Sequence, residues 1–262
     1  MAGGGGAFVS EEGPCSLARA SPVTVALVDD DFDLLLDDGR RIALAGLEFP
    51  SAADAGMVPR RLALSRLSDL LVGEQVFLDN LASSPDRWGR TPAQAIIAVG
   101  SGPNASLASA GAMLLAEGLA RFRPDPLAAP CAGAYLAAEE IAREQNLGVW
   151  ASDPIVDVSA DSASTSAILS RKKGMVVVSG TVQSVGETRS AIYLNFGPRR
   201  NSEFAIVISK RNMAIFAERG VGLRTLQGRR VRARGLIETN YGPRMEIGAP
   251  AEIEFLDAVQ TR

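Results

Sequence analysis

The distribution of apolar and polar positions predicts a β-hairpin near the start of the chain. Leu34, Leu35 and Leu36 precede the turn residues Asp37-Asp38-Gly39, and Ile42, Leu44 and Leu47 follow them. An Asp-Gly pair between two apolar runs is a strong hairpin signal. We therefore expect two antiparallel strands joined at residues 37–39. The second arm ends at Pro50, because proline cannot donate to a strand ladder.

Helix-like and strand-like stretches then alternate up to residue 152. Leu62, Leu67, Leu70 and Leu71 have helical spacing, and Gly73 ends that pattern. The expected elements, in chain order, are a helix over 52–72, strands over 74–81 and 93–99, a helix over 105–120 capped by Asn104, and a helix over 132–146. Short strands followed by helices favour a small β-barrel with packed helices.

A period of two returns after Gly174. The expected strands cover 175–185, 190–196, 204–209, 229–237 and 244–247, with a helix over 212–219. Five strands with a helix between the third and the fourth are the pattern of an OB-fold barrel. The predicted fold is mainly β with packed helices, in two tandem OB-fold barrels.

The predicted domain organisation follows from these elements and from the composition between them. The Gly-rich start is expected to be a flexible lead, and the Ser/Ala/Asp-rich stretch before the basic half is expected to be a linker. The boundaries are a lead over 1–22, a barrel with helices over 23–152, a linker over 153–173, a basic barrel over 174–257 and a tail over 258–262.

Charge is distributed unequally between the two halves of this 262-residue chain, although its net charge is only −3. Residues 1–150 contain 11 arginines, no lysine and 19 carboxylates, which gives −8. Residues 171–262 contain 16 basic and 8 acidic side chains, which gives +8. This asymmetry predicts two modules with different partners, or two modules that pair with each other.

The composition excludes several kinds of site. The chain has no histidine, so histidine bases, Ser-His-Asp triads and imidazole metal ligands are all ruled out. Two cysteines cannot form a tetrahedral thiolate zinc site by themselves. No apolar run reaches transmembrane length, and the first residues lack the basic and apolar regions of a signal peptide. We expect no membrane span.

The hairpin and three later motifs resemble the thermonuclease (staphylococcal-nuclease-like) domain over residues 23–152. The hairpin corresponds to residues 28–51, and the D-R-[YW]-G-R element corresponds to Asp86-Arg87-Trp88-Gly89-Arg90. Two closing motifs of that family correspond to residues 114–120 and to Gly148-Val149-Trp150. The resemblance implies an OB-fold barrel and a calcium-dependent phosphodiesterase site with two arginines, a glutamate base and acidic metal ligands.

Most of the implied catalytic positions are substituted in this chain. The first metal aspartate corresponds to Phe32, the first arginine to Ala43 and the glutamate base to Ser51. A register slip of one residue would place Asp31 or Asp33 at the metal position but would not restore the base. Glu48 corresponds to the second acidic ligand, and Arg90 is the one retained catalytic position. The resemblance therefore implies a non-catalytic or weakly active protein.

Two features of this region have ordinary structural interpretations as well. The run Asp29–Asp31 with Asp33 is typical of a solvated loop, and Arg90 is suitably spaced for an ion pair with Asp86. Arg41 lies two residues before Ala43 and shares its strand face, so it is a candidate to replace the missing arginine in part.

The basic half has features of a nucleic-acid-binding barrel. Arginines that alternate along a strand share one face, and exposed tyrosines stack on bases. The candidate contacts are Arg199, Arg200, Arg230, Arg232, Arg234, Tyr193 and Tyr241. Alternatively, these arginines form a solvated basic face or pair with the acidic first half.

Cys15 and Cys131 are the only cysteines, and each lies in a Pro-flanked stretch. A disulfide between them would link the lead to the start of the third helix and would indicate an oxidising compartment, periplasmic or extracellular. Two free thiols in a cytosolic protein are the alternative.

Three functions follow from the sequence. The first is non-catalytic or weakly active binding of nucleic acid or of a protein partner through tandem barrels, with no cofactor. The second is a nuclease that hydrolyses DNA or RNA with calcium. The third is a protein–protein scaffold. The substitutions at Phe32, Ala43 and Ser51 favour the first over the second.

Overall fold

The computed structural model of this chain describes residues 20–51, 57–100, 106–158, 168, 174–198, 203–239 and 242–256. The chain is mainly β, with several helices, as predicted. It divides between Asp153 and Pro154 into two compact units. Among the described residues, no helix is both long and apolar enough to cross a membrane.

Five strands of the first unit close into a barrel. They are β1 (Ser21–Val28), β2 (Leu34–Leu36), β3 (Arg41–Leu44), β5 (Gln75–Asn80) and β6 (Arg90–Val99). Strand β1 pairs with β2 and β5, β2 pairs with β3, and β5 pairs with β6. A parallel pairing of β3 with β6 closes the ring.

The predicted hairpin is confirmed as the β2–β3 pair. Gly39 has a φ of +84°, which glycine adopts without steric cost. Leu34, Leu36 and Ile42 are buried in the barrel, whereas Leu35, which alternates with them on β2, is exposed. The hairpin thus closes because its turn chemistry and its apolar pattern agree.

The remaining elements of the first unit cover the barrel. They are β4 (Leu47–Glu48), β7 (Ser106–Ser109), β8 (Arg121–Phe122), α1 (Met57–Leu71), α2 (Ala110–Ala116), α3 (Ala132–Glu144) and α4 (Val149–Ser152). The prediction of one helix over 105–120 is wrong in its first part. Residues 106–109 instead pair with β6, and the Ser109 hydroxyl caps α2 by accepting from the Ala112 amide at 3.3 Å.

Two glycines hold the end of the first unit against α2. The amide of Val149 donates to the carbonyl of Gly118 at 2.9 Å. Gly118 and Gly148 have φ values of +69° and +54°. A Cβ added to either glycine would collide with the backbone of the other segment. Both positions therefore require glycine because of φ and because of the close approach.

The second unit contains two sheets. Its strands are β9 (Val156–Asp157), β10 (Val176–Thr181), β11 (Ser184–Glu187), β12 (Ala191–Asn195), β13 (Ala205–Ser209), β14 (Arg230–Gly235), β15 (Ile237–Glu238), β16 (Arg244–Ile247) and β17 (Ile253–Phe255), and its helix is α5 (Met213–Glu218). One sheet has the order β17-β14-β10-β9 and the other has the order β11-β12-β13-β16-β15.

Two of the predicted strands are interrupted where the chain passes from one sheet to the other. The strand predicted over 175–185 becomes β10 and β11, and the strand predicted over 229–237 becomes β14 and β15. Strand β13 is parallel to β16. Within the predicted linker, Val156, Val158 and Ile168 are buried in the apolar core of this unit.

Candidate functional site

Phe32, at the position that the resemblance assigns to the first metal aspartate, is buried in the first unit. Its ring lies parallel to the ring of Phe49, with centroids 4.1 Å apart and planes 4° apart. Its φ is +65°, a conformation that is unfavourable for a bulky residue. Packing must therefore offset the backbone strain, and an aromatic ring occupies the position that the resemblance assigns to a metal ligand.

Arg60 on α1 covers this aromatic pair. Its guanidinium carbon lies 4.9 Å from the centroid of the Phe32 ring, within the range of a cation–π interaction. The guanidinium also donates to the carbonyl of Pro50 at 3.3 Å and to the carbonyl of Asp30. One side chain thus joins the first turn of α1 to the segments on both sides of the Phe32–Phe49 stack.

Asp29 organises the turn that presents Phe32. One of its carboxylate oxygens accepts from the amides of Asp31 and Asp33 at 2.9 and 3.0 Å. Its other oxygen forms an ion pair with Arg41. The acidic run was predicted to be solvated, but Asp33 is 4% exposed. The turn therefore places one of these carboxylates in the interior.

Arg41 and Arg90 both contact the buried carboxylate of Asp33. The two arginines are register partners on the parallel strands β3 and β6. Arg41 Nε lies 3.1 Å from Asp33 Oδ2, and Arg90 Nη1 lies 3.5 Å from Asp33 Oδ1. Each carboxylate oxygen thus faces a different guanidinium, and Asp33 lies between the two arginines.

A second carboxylate fixes each arginine from the outside. Arg90 donates from Nε and Nη2 to Asp86 Oδ2 at 3.0 and 2.9 Å, so the predicted Asp86–Arg90 ion pair is present. Asp29 plays the same role for Arg41. The result is a chain of five alternating charges, which we call the charge ladder: Asp86, Arg90, Asp33, Arg41 and Asp29.

The pKa values in the charge ladder reflect these contacts. Burial raises the pKa of Asp33; the charges of Arg90 and Arg41 oppose this effect, and Asp29 reinforces it. Partial burial also acts to raise the pKa of Asp29, but hydrogen bonds from Arg41 and from the Asp33 and Asp31 amides outweigh it and lower that pKa. The ladder thus contains one carboxyl that ionises less readily than usual and one that ionises more readily.

Trp88 is an exposed aromatic residue beside the charge ladder. Its side chain is 59% exposed. The guanidinium carbons of Arg87 and Arg90 lie 3.9 and 4.9 Å from the ring centroid. The turn that carries Trp88 is fixed by Asp86, whose carboxylate accepts from the amides of Trp88 and Arg90. The ring is therefore presented from a well-ordered turn.

The other positions implied by the resemblance are half-buried in the first unit. Ala43 is half-buried on β3, opposite Pro92. Glu48 is half-buried on β4, opposite Arg121 of β8, and Ser51 is half-buried after Pro50. No group of three or more acidic, histidine or cysteine side chains that could hold a metal ion occurs among the described residues.

In the second unit, carboxylates pair with all three of the predicted strand arginines. Arg232 and Arg234 lie 3.2 and 2.8 Å from the two carboxylate oxygens of Glu254. The Arg234 side chain has no exposed area, whereas Arg230 is exposed and lies 3.5 Å from Asp157. The register places the three on one strand face, as predicted, but that face also contains their acidic partners.

Tyr193 lies half-buried on β12, between Gly186 of β11 and Val207 of β13. At the edge of the same sheet, Lys210 and Arg224 contact Glu187, and hydrogen bonds from Arg224 and Lys210 lower the pKa of Glu187 to about 2.

Cys131 is buried in the first unit. Cys15, Arg199, Arg200 and Tyr241 lie outside the described residues. Predictions that involve them, including the Cys15–Cys131 disulfide, stay predictions.

Sequence analysis missed Phe49, Arg60 and the exposure of Trp88. The sequence shows an aromatic residue, Phe49, directly before Pro50. It does not show that the ring of Phe49 stacks on the ring of Phe32, because spacing alone does not identify a stacking partner. Arg60 belongs to a helix whose orientation the sequence did not specify.

A scan of the sequence against models of known protein families matches none of them, and a search of curated proteins finds no match either.

Proposed function

We propose that this protein is a non-catalytic, thermonuclease-like barrel protein that acts by binding a nucleic-acid strand. The observation that carries the first part is the aromatic pair Phe32–Phe49 beneath Arg60, which stands where the resemblance requires a metal ligand. A phenyl ring cannot ligate calcium, which requires several oxygen ligands. Ser51 has no histidine to activate it as a base.

The strand is proposed to contact Trp88 and Arg87 of the first unit. An exposed indole provides a surface on which bases stack, and a guanidinium stacked on it keeps its N–H groups available for phosphate. In the second unit, Tyr193 is a further candidate. We also propose that this unit is an OB-type barrel, because the split strands β10/β11 and β14/β15 connect its two sheets.

Tryptophan fluorescence tests this proposal directly. The chain has two tryptophans, of which Trp88 is exposed and Trp150 is 2% exposed. Titration of the full chain with single-stranded polynucleotide at low salt should quench Trp88 emission. Trp88→Ala should weaken binding by roughly 1–3 kcal/mol, the usual cost of a lost base–aromatic stack. Arg87→Ala should reduce the slope of log affinity against log salt by about 0.7.

Binding that is unchanged by Trp88→Ala would remove Trp88 from the account. No binding of any polynucleotide at low salt, by full-length protein that is folded, would refute the nucleic-acid proposal. The scaffold function would then be the better account.

Two observations bear on that scaffold function. Met57, Val58 and Leu62 of α1 are 50–67% exposed, on a helix face that is usually polar in a soluble protein. In addition, carboxylates inside the second unit already pair with many of its described basic side chains. This pairing reduces the positive electrostatic potential that would attract phosphate groups. The exposed apolar side chains of α1 are typical of a surface that binds another protein.

A further inference from the structure

We infer that the exposed face of α1 is a self-association surface, on which α1 of a second copy of this chain packs in the antiparallel direction. A two-fold axis that passes close to Ser65 relates the two copies. This contact involves a helix face of the first unit, and it does not depend on the proposed binding of nucleic acid.

The helix α1 has two faces that differ in exposure. Its buried face consists of four apolar residues: Ala63, Leu67, Leu70 and Leu71. Its other face is exposed but still largely apolar, because Met57, Val58 and Leu62 are 50%, 67% and 57% exposed. A helix that packs on one side only normally carries polar residues on the other side. The exposed face of α1 therefore has the composition of a contact surface.

Exposed positions on α1 recur with the spacing of a helix that packs against another helix. Successive intervals of four, three, four and three residues separate Val58, Leu62, Ser65, Asp69 and Val72, all of which are exposed. Val72 directly follows α1, and its amide donates to the carbonyl of Ser68 at 2.9 Å, so it continues the helical turn. Alternating intervals of three and four residues are the pattern of a coiled-coil seam. A stripe about 21 Å long, at about 1.5 Å per residue, thus faces solvent.

This stripe is complementary to itself when one of two copies is inverted. Arg61 and Asp69 lie four residues before and four residues after Ser65, and Val58 and Val72 lie seven residues before and after it. In a two-fold contact between antiparallel helices, each residue meets the one that lies equally far beyond the axis on the other copy. Arg61 of one copy therefore faces Asp69 of the second copy, and Val58 faces Val72.

Charge and size on the exposed face favour this direction of packing. A parallel pair of α1 helices would place Arg61 against Arg61 and Asp69 against Asp69, which are contacts between like charges. Ser65 is small, so the two helix axes can approach closely at the crossing point. The other two arginines of α1 point elsewhere, because Arg60 donates to the Pro50 carbonyl and Arg66 donates to Glu117.

The contact is built on one pair of helices, so it lies at the low end of the size range of specific interfaces, below about 1,200 Å². We therefore expect a reversible dimer that forms at high protein concentration, rather than an obligate one.

Reversal of the two charges tests this arrangement. Sedimentation velocity of the full chain over a range of concentrations measures the dimer. Arg61→Asp and Asp69→Arg should each weaken dimerisation by about tenfold or more, because the two-fold axis repeats the contact between like charges. The double variant restores both ion pairs with their signs exchanged, so it should dimerise like the unmodified protein. Neither reversal opposes the helix dipole, since Asp is placed toward the N-terminus of α1 and Arg toward its C-terminus.

Two apolar positions complete the test. Val58→Glu should weaken dimerisation, whereas Leu236→Glu, at a 66% exposed residue of the second unit, should leave it unchanged. Four results would each overturn the inference, provided that circular dichroism shows every variant to be folded. They are an unmodified chain that stays monomeric up to its solubility limit, a dimer that Arg61→Asp leaves intact, a double variant that does not regain dimerisation, and equal losses from Val58→Glu and Leu236→Glu.

Discussion

The ring of Phe32 lies 4.1 Å from the ring of Phe49 and parallel to it, and Arg60 covers the pair. Phe32 keeps this position although its φ of +65° is unfavourable for a residue with a Cβ. The stack thus places an apolar contact where the resemblance implies a metal ligand, and it retains a backbone conformation more suited to glycine or asparagine. Substitutions of Phe32 should separate the stabilising effect of the ring contact from the destabilising effect of the strained backbone.

Phe32→Ala should lower the free energy of unfolding by about 3–5 kcal/mol, because it removes a buried ring and leaves a cavity. Phe32→Gly should be less destabilising than Phe32→Ala by roughly 1 kcal/mol, because glycine relieves the strain of a positive φ. Urea denaturation of the two variants measures the difference. If Phe32→Ala is the more stable of the two, the strained backbone is not retained in solution.

Gly118→Ala should destabilise the first unit by about 2–5 kcal/mol. The φ of +69° disfavours alanine, and the added Cβ would collide with the carbonyl of Leu147. Gly133→Ala on α3 is the matched control, since a Cβ there meets no atom within 4 Å. It should change stability by no more than about 1 kcal/mol, in the stabilising direction. Equal effects of the two substitutions would contradict the close approach of Gly118 to Leu147 and Gly148.

Part of this architecture was predictable, and the reason differs between elements. Asp-Gly and the apolar arms around it predicted the β2–β3 hairpin, because that signal is local. The prediction of a helix over 105–120 was wrong in its first part. Residues 106–109 pair with β6, and this long-range interaction outweighs their local helix propensity.

The site was predictable only as a set of substituted positions. The sequence indicated that Phe32 cannot ligate a metal, but it gave no partner for its ring. Asp33 was expected in solvent because acidic runs usually are, whereas the turn organised by Asp29 directs it inward. Burial of a charge depends on which strands come together, and the register of β3 with β6 is not encoded locally.

Alkaline titration should identify Tyr135 as a protonated interior phenol. Burial raises its pKa to about 12, while hydrogen bonds with Ser109 and Gln94 act in the opposite direction. Between pH 10 and about 12 the folded chain therefore keeps a proton that the unfolded chain loses, so folding stability falls as the pH rises through this range. Tyr135→Phe should remove this part of the alkaline loss. An identical loss in both proteins, measured by urea denaturation, would contradict the assignment.

Arg234→Ala should lower the free energy of unfolding by about 3–5 kcal/mol, because it breaks a buried pair with Glu254. Arg230 lies on the same strand and is exposed. Arg230→Ala should therefore change the free energy of unfolding by no more than about 0.5 kcal/mol. Thermal and urea unfolding compare the two variants. If Arg234→Ala leaves stability unchanged and weakens polynucleotide binding instead, the arginine contacts a ligand rather than supporting the fold.

A nuclease assay of the purified full-length protein tests the central claim most directly. The substrates are single-stranded and duplex DNA and RNA, each with calcium and with a chelator. Loss of a general base alone typically lowers a rate by roughly 10²–10⁴-fold, and this chain also has Phe32 at the position that the resemblance assigns to a metal ligand. We expect no calcium-dependent cleavage above that of an Arg90→Ala preparation. Cleavage that calcium stimulates, a chelator stops and Arg90→Ala abolishes would contradict the account.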